Sequence, residues 1–418
     1  MTAVPIATWC ISAVAMAGVI VRPFRWPEAV WAVAGAGALV LLGLVTPEMA
    51  LAGIAKGTDV YLFLAGMMLL SETARDAGLF DWLAMQAARQ ARGSAQRLFL
   101  LVYGVGVVVT IFLSNDATAV VLTPAVAAAV RAIRLRNPLP YLLICAFTAN
   151  AASFVLPISN PANLVMYASH MPSLGRWLQQ YGPAAAVSVI ATYACLRWVE
   201  RGSFDDAVPK EVPDARLSRS GRIAAAGIAL AALVLLGASA FEQQLGLPTA
   251  LCGVLTLLLG WATGGVSPRK ALGGISWSVL PLVGGLFVLV EVLDKTGVIG
   301  LLAGVLADGT ATSTQATGGL AGLAVALASN LVNNLPAGLV AASAAHAALV
   351  PEPVIRALVI GVDLGPNLSV TGSLATILWL AALRRDGHQV DGWQFLKIGA
   401  VVMAPALVLS LVTALALA

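Results

Sequence analysis

Charge is what this sequence has least of. Only 11% of its 418 residues are Asp, Glu, Lys or Arg, while 59% are hydrophobic, and soluble domains carry roughly 25% charged residues. That excludes an ordinary soluble chain and points to a polytopic membrane protein. Cysteine and histidine are scarce as well. Cys10, Cys145, Cys195 and Cys252 stand one by one in apolar segments, and His170, His346 and His388 are isolated in the same way. No pair has metal-ligand spacing, so neither a metal site nor a cofactor is expected. No Gly-x4-Gly-Lys-Ser/Thr phosphate loop occurs, so any ATP hydrolysis must come from another chain. A nucleophile–base set is missing too, which argues against a membrane-embedded enzyme. No nucleic-acid partner is expected. The first apolar run, 4–21, has no basic stretch before it and reads as a retained span rather than a cleaved signal.

What the chain has in quantity is long apolar runs, and a crossing helix needs about 20 such residues. The first half holds spans at 4–21, 28–46 and 57–73, then an interfacial helix over 78–92 with mixed apolar and basic faces. The run 97–131 is broken at its middle by Ser114-Asn115-Asp116. Two half-length apolar arms around a polar tip describe a re-entrant hairpin. A long span at 139–169 is interrupted by Pro157-Ile-Ser-Asn-Pro161-Ala-Asn163, and a fifth span runs 182–199. A charged connector, 200–221, follows. Beyond it come spans at 222–241, 247–264 and 277–293 and an interfacial stretch at 297–308. A hairpin at 316–350 has the tip Asn330-Leu-Val-Asn333-Asn334-Leu-Pro336. A broken span at 354–383 and a last span at 393–417 complete the chain. The domain plan is therefore 1–199, the connector 200–221, and 222–418.

The two halves match element by element. Glu72-Thr-Ala-Arg-Asp-Ala-Gly-Leu-Phe80 resembles Glu291-Val-Leu-Asp-Lys-Thr-Gly-Val-Ile299 at a shift of 219 residues. Ser114-Asn115-Asp116 lines up with Val332-Asn333-Asn334 at 218, and Ser159-Asn160-Pro161 with Thr371-Gly372-Ser373 at 212. Five full spans plus one hairpin per half is an odd count, which turns the second half upside down in the membrane. The expected fold is all-α and polytopic: two inverted repeats of five transmembrane helices, each with one re-entrant hairpin and one discontinuous helix. Secondary transporters use that plan and bind at the midplane. With the N-terminus outside, 20 of the 24 Lys and Arg fall in cytoplasmic loops, and only Lys56, Arg176, Lys295 and Arg356 do not. This satisfies the positive-inside rule and puts both termini outside.

The stretch 361–376 carries a carboxylate, three glycines, a proline and several hydroxyls inside an apolar run. Irregular backbone at membrane depth survives only where it is packed in protein or lines a watery cavity. An ionisable residue there is a functional group by default. Asp59, Glu72, Glu291 and Asp294 lie near span ends, where water, Arg75 or Lys295 can reach them. Asp116, at a hairpin tip, and Asp363, just before a helix break, are deep. Burial disfavours a carboxylate's charged form, which suits a group that takes up and releases a proton; the alternative for both is hydrogen bonding to freed backbone amides. Around them Asn115, Asn333, Asn334, Asn150, Ser159, Asn160, Asn163, Thr371, Gly372 and Ser373 form a small polar cage without Lys or Arg. Half-helix N-termini add inward-pointing N–H groups. Such a cage suits a small neutral hydroxylated solute. A polyanion would want a basic partner or bound cations.

Three motifs carry a resemblance: Phe112-Leu-Ser-Asn-Asp-Ala-Thr-Ala-Val-Val-Leu-Thr-Pro124, Asn333-Asn334-Leu-Pro336, and Gly361-Val-Asp-Leu-Gly-Pro-Asn with Gly-Ser-Leu-Ala-Thr-Ile-Leu-Trp379. The chain resembles the ArsB-type arsenite and antimonite efflux transporters of the ion transporter superfamily, over essentially its whole length. The resemblance implies export of trivalent arsenic and antimony hydroxides across the cell (inner) membrane in exchange for protons. It also implies a cytosolic arsenite-stimulated ATPase as an occasional partner, for which the basic-rich 197–222 segment is a docking candidate. Some relatives have Cys immediately before the aspartate of the last motif, where this chain has Val362, and Asp where it has Asn150. Val362 argues that thiol ligation is not needed. Arsenous acid is neutral at pH 7 and offers three hydroxyls to an amide and hydroxyl cage. A sodium-coupled dicarboxylate carrier or a sodium/proton antiporter of the same fold is the alternative; paired Ser-Asn-Thr tips would favour it, and the tips here are Ser-Asn-Asp and Val-Asn-Asn. A channel is the remaining class.

Overall fold

The computed structural model describes residues 3–21, 23–167, 171–204, 208, 209, 212 and 215–417. Arg22, His170, Lys210, the end of the 139–169 run and parts of the 200–221 connector lie outside the described residues. The described residues are all helix, turn and loop, without strand. In order they form α1 (Ala3–Val21), α2 (Glu28–Leu41), α3 (Pro47–Lys56), α4 (Thr58–Asp76), α5 (Leu79–Gln90), α6 (Ala95–Phe112), α7 (Asn115–Ala117), α8 (Thr123–Ala132), α9 (Leu139–Ala151), α10 (Pro161–Tyr167) and α11 (Leu174–Val199). After the connector come α12 (Arg219–Ala240), α13 (Gly246–Ala262), α14 (Pro268–Gly274), α15 (Val279–Lys295), α16 (Val298–Thr312), α17 (Thr314–Val332), α18 (Asn334–Ala347), α19 (Glu352–Leu364), α20 (Leu374–Arg385) and α21 (Gly392–Ala416).

Six stretches are long and apolar enough to cross a membrane: α6, α11, α12, α14 with α15, α17 and α21. The bent pair α3–α4, broken by 49° at Gly57, makes a seventh. Together with the shorter apolar helices this is a multi-pass membrane protein. Several expected spans come out short. The 28–46 run keeps only 14 helical residues in α2, and the 57–73 span is preceded by the unanticipated arm α3. The starts follow side-chain capping. Thr46, Ser94, Ser218, Ser313 and Asp391 each accept a backbone N–H from the first turn of the helix they precede.

Helices from either side of the connector pack against one another. Helix α4 lies against α13 of the second half, and α15 lies against α2 of the first. Two glycines make this possible. A Cβ on Gly66 would stand 2.5 Å from the Thr249 carbonyl carbon, and one on Gly285 would stand 2.8 Å from that of Ala32. Small residues let helix backbones approach this closely in membranes, and these two are 219 residues apart. The left-handed glycines that start α5 and α16, Gly78 (φ 75°) and Gly297 (φ 84°), share that spacing. Both ends of α13's neighbourhood are pinned to α4: Asp59 Oδ1 accepts the Gly246 N–H and Asp76 Oδ2 accepts the Ser267 N–H, each at 2.7 Å.

Each expected tip does join two helices, but the first arms, α6 and α17, are long enough to cross a membrane rather than half-length, and the register between the tips differs by one. The break residues are Ser114 (φ 153°) and Asn333 (φ 71°), each capping the arm that follows: Ser114 Oγ accepts from the Ala117 N–H and Asn333 Oδ1 from the Leu335 N–H. Ser114 therefore corresponds to Asn333, and the shift is 219 here too. The broken spans also pair more closely than the sequence match indicated. Helices α9 and α19 have 13 residues each, and Asn150 and Asp363 are both next to last.

Candidate functional site

The first hairpin tip projects Asn115 and Asp116 inward, both from the turn that Ser114 caps. Asn115 Oδ1 accepts the Asp116 N–H at 2.9 Å, and the residue lines a cavity at the tip. The second tip presents Asn333 and Asn334, and the Asn334 N–H donates to the Gly372 carbonyl at 2.9 Å, which ties this tip to the second helix break. Both tips end at two adjoining cavities of about 40 Å³ each, which share Leu64, Asp116, Pro161, Val279 and Leu374 as walls. Asn115, Asn160, Asn333 and Asn334 line one of them, with Glu28 at its edge. Ser71, Glu72 and Ser114 line the other. Neither is lined by Lys or Arg. Each has room for a few water-sized groups.

One helical turn further along α4, α10, α15 and α18 the space widens. Val60, Leu164, Val290 and Leu339 succeed Leu64, Pro161, Leu286 and Leu335 and line a vestibule of about 520 Å³. Asp59, Glu291 and Asp294 face it, against the single base Lys56, with His346, Gln244 and Ser343. Its field favours cations and neutral solutes over anions.

Asp363 is fully buried behind this cavity. Its Oδ1 accepts from Asn160 Nδ2 at 2.7 Å, and its Oδ2 has no hydrogen-bond partner. Asn160 both lines the cavity and holds Asp363, with its own Oδ1 accepting the Ala162 N–H at 3.0 Å. Among the described residues, no ion pair involves Asp116 or Asp363.

The structure therefore gathers Asn115, Asp116, Asn160, Asn333 and Asn334 at one place, with Asp363 one hydrogen bond away. The other expected site residues hold the breaks in shape. Asn150 Nδ2 donates to Asn367 Oδ1 at 3.0 Å and to Thr376 Oγ1 at 3.4 Å. Asn163 Nδ2 donates to the Ser153 carbonyl, and Ser159 Oγ to the Ile111 carbonyl. Thr371 Oγ1 donates to the Asn330 carbonyl, Ser373 Oγ caps α20 through the Thr376 N–H, and Gly372 supplies the carbonyl that receives Asn334.

Four participants were not among the expected site residues, although Asn330, Asn367 and Thr376 stand in the quoted motifs. Glu28 sits in the first turn of α2 directly after Pro27, a pattern that looks like an ordinary helix start. Asn330 staples the second hairpin to the second break: its Nδ2 donates to the Gly365 carbonyl at 2.9 Å and its Oδ1 accepts from Ser369 Oγ at 2.7 Å. Asn367 donates to the Phe147 carbonyl across the halves. Thr376 answers Asn150. An amide inside an apolar helix, as at Asn330, was the available signal.

A family model described as CitMHS, citrate transporter, matches residues 14–361. The chain is 30% identical to an arsenical pump membrane protein of Yersinia enterocolitica over 82% of its length and 83% of that protein. It is 28% identical to an arsenical pump membrane protein of Escherichia coli K12, again over 82% and 83%. An uncharacterized transporter of Mycobacterium bovis is 25% identical over 94% of both chains. In fold the chain is similar to the YdaH transporter of Alcanivorax borkumensis, with a TM-score of 0.56 and 17% identity over 88% of this chain and 86% of that one. It is also similar to MtrF of Neisseria gonorrhoeae, with a TM-score of 0.53 and 13% identity over 90% and 84%.

Proposed function

We propose that this chain, which belongs to the CitMHS citrate-transporter family and is a transporter of the ArsB type rather than an enzyme, expels trivalent arsenic and antimony hydroxides in exchange for protons. One observation carries the reading. The cavity at the two hairpin tips offers four asparagine side chains and the Asp116 and Glu28 carboxylates, with no base among its lining residues. Four amides can both donate to and accept from the three hydroxyls of arsenous acid or its antimony counterpart. A citrate-like polyanion would meet Asp116 here and an acidic vestibule on the way. The arsenical pump relatives support the cargo by name.

In this mechanism Asp116 holds the proton where the cargo binds. Asp363 acts through Asn160, which touches both the cavity and its carboxylate. A proton arriving on Asp116 converts an acceptor into a donor and loosens the cargo's hydroxyls. The halves are inverted repeats, divided at 200–221, in the inner membrane with both termini outside. The vestibule at Lys56 then faces outward. A cytosolic arsenite-stimulated ATPase docks on the basic connector side where one is present.

A second reading replaces the proton by sodium. Its support is a set of three buried oxygens that accept no hydrogen bond, Asn150 Oδ1, Asn163 Oδ1 and Asp363 Oδ2, all in the broken spans. Sodium dependence of transport separates the two.

The test is arsenite uptake into everted vesicles driven by an imposed pH gradient. Asp116→Asn and Asp363→Asn are each expected to abolish gradient-driven uptake. Full proton-coupled transport by both variants would overturn the assignment.

A further inference from the structure

Glu72 and Glu291 occupy the same place in the two repeats, 219 residues apart, yet meet opposite surroundings. Each sits in the last turns of a long helix, α4 or α15, and rests on the short helix that precedes the other one, α14 before α15 or α3 before α4. Glu72 rests on the last residue of α14: a Cβ on Gly274 would fall 2.0 Å from Glu72 Oε2 and 2.6 Å from Arg75 Nη2. Glu291 rests on α3, beside Gly53, and accepts from Nζ of Lys56, the last residue of that arm, at 2.5 Å. The Glu72 side chain is 7% exposed and lines the narrow cavity next to Asp116. The Glu291 side chain is 29% exposed and lines the wide vestibule. So one matched carboxylate is sealed and the other is wet.

The origin of the neutralising base differs as well. Arg75 belongs to the same helix as Glu72, three residues on, and travels with it. Lys56 reaches Glu291 from the other repeat. Taking a carboxylate out of water is costly even when it is paired, so the sealed end stores a tendency to hydrate that the open end has already satisfied. Two equivalent ends in unequal hydration are what a two-state element looks like when caught in one state.

We propose that Glu72 and Glu291 are matched positioning residues for transport, each shutting its own end of the central cavity when the short helix before the opposite long one closes on it. In the present arrangement Gly274 is closed on Glu72 and the Glu291 end is open. The exchanged arrangement lifts α14 off Glu72 and seats α3 on Glu291. The groups that meet Gly274 are the ends of the Glu72 and Arg75 side chains, so a bulky residue there, too large for them to turn aside from, would hold that end ajar. This rests on the chain being a transporter with two access routes, and not on which cargo or coupling ion it uses.

The experiment reads access without cargo. In a full-length chain with Cys10, Cys145, Cys195 and Cys252 replaced by Ala or Ser, a single probe is placed as Met68→Cys, beside Glu72, or as Ser343→Cys, in the vestibule. Membrane-impermeant thiol reagent is then applied from either face of the membrane. Ser343→Cys is expected to label readily and Met68→Cys slowly. Adding Gly274→Phe, whose ring is too large for the Glu72 and Arg75 side chains to turn aside from, is expected to raise the Met68→Cys labelling rate and lower that of Ser343→Cys, each by about tenfold, the ratio expected for a modest population shift. Glu72→Gln, which removes the buried charge and adds no bulk, checks the opposite sign: easing closure should slow Met68→Cys labelling further. Unchanged rates at both probes with Gly274→Phe, or equal labelling of the two probes in the parent, would overturn the proposal. A parent chain that moves no arsenite while these labelling shifts are present would instead count against the cargo alone.

Discussion

Asn160 donates to Asp363 across the two broken spans at 2.7 Å, and that bond ties the cavity wall to the buried carboxylate. The residue therefore sits between the place where cargo binds and a group fully removed from solvent.

Asn160→Ala should cut arsenite transport by about tenfold or more, because a hydrogen bond to a charged group contributes about 1.5–3 kcal/mol. Uptake into everted vesicles at matched expression measures it. Uptake equal to the parent chain would remove Asn160 from the mechanism.

Asn330→Ala should loosen the second break without touching the cavity. It removes the donor to the Gly365 carbonyl and the acceptor of the Ser369 hydroxyl. A loss of about 1–3 kcal/mol is expected for partners left buried and unsatisfied. The unfolding midpoint in detergent reads this loss.

Gly66→Ala and Gly285→Ala should be similarly harmful, since each new methyl meets backbone across the halves. Overpacking of this kind costs about 1–3 kcal/mol. Gly37→Ala, where a Cβ would have nothing within 4 Å, is the control and should be tolerated. Equal unfolding midpoints for all three variants would argue against the reciprocal seating.

Glu200 gives a pH prediction at the end of α11. Burial holds its carboxyl above the ordinary value, and the Ser203 hydroxyl donating to Oε2 at 3.1 Å opposes this more weakly. The folded chain thus keeps this proton to higher pH than the unfolded chain does. Its contribution to stability is lost as pH rises from the unfolded value of 4.5 through the folded one. Glu200→Gln should match the parent at pH 4 and unfold at higher temperature than the parent at pH 8. A parent advantage at pH 8 would contradict the burial.

The hairpins and broken spans were legible because asparagine, aspartate and proline inside apolar runs have few structural explanations at membrane depth. The helix at α3 was not, since Glu48 and Lys56 at its ends made 47–56 look like a loop; in fact they sit in its first and last turns, where they complement the helix dipole. The hairpin register was off by one because Asn115 was matched to Asn333 by identity. The chain matches them by task, and Ser114 and Asn333 are both capping side chains. Asn115, Asp116, Asn160, Asn333 and Asn334 could be named in advance. Their division from Asn150, Asn163 and Thr371 could not, because facing a cavity or bracing a backbone is decided by rotation about a helix axis.

The reciprocal seating of α4 on α13 has a consequence for how the chain is made. Helix α4 leaves the ribosome roughly 170 residues before α13 begins, which at about 5–20 residues per second is on the order of ten to thirty seconds. For that interval the face around Gly66 has no proper neighbour. The first half therefore spends its early life unfinished in the bilayer, and synthesis of the second half is the step that completes it.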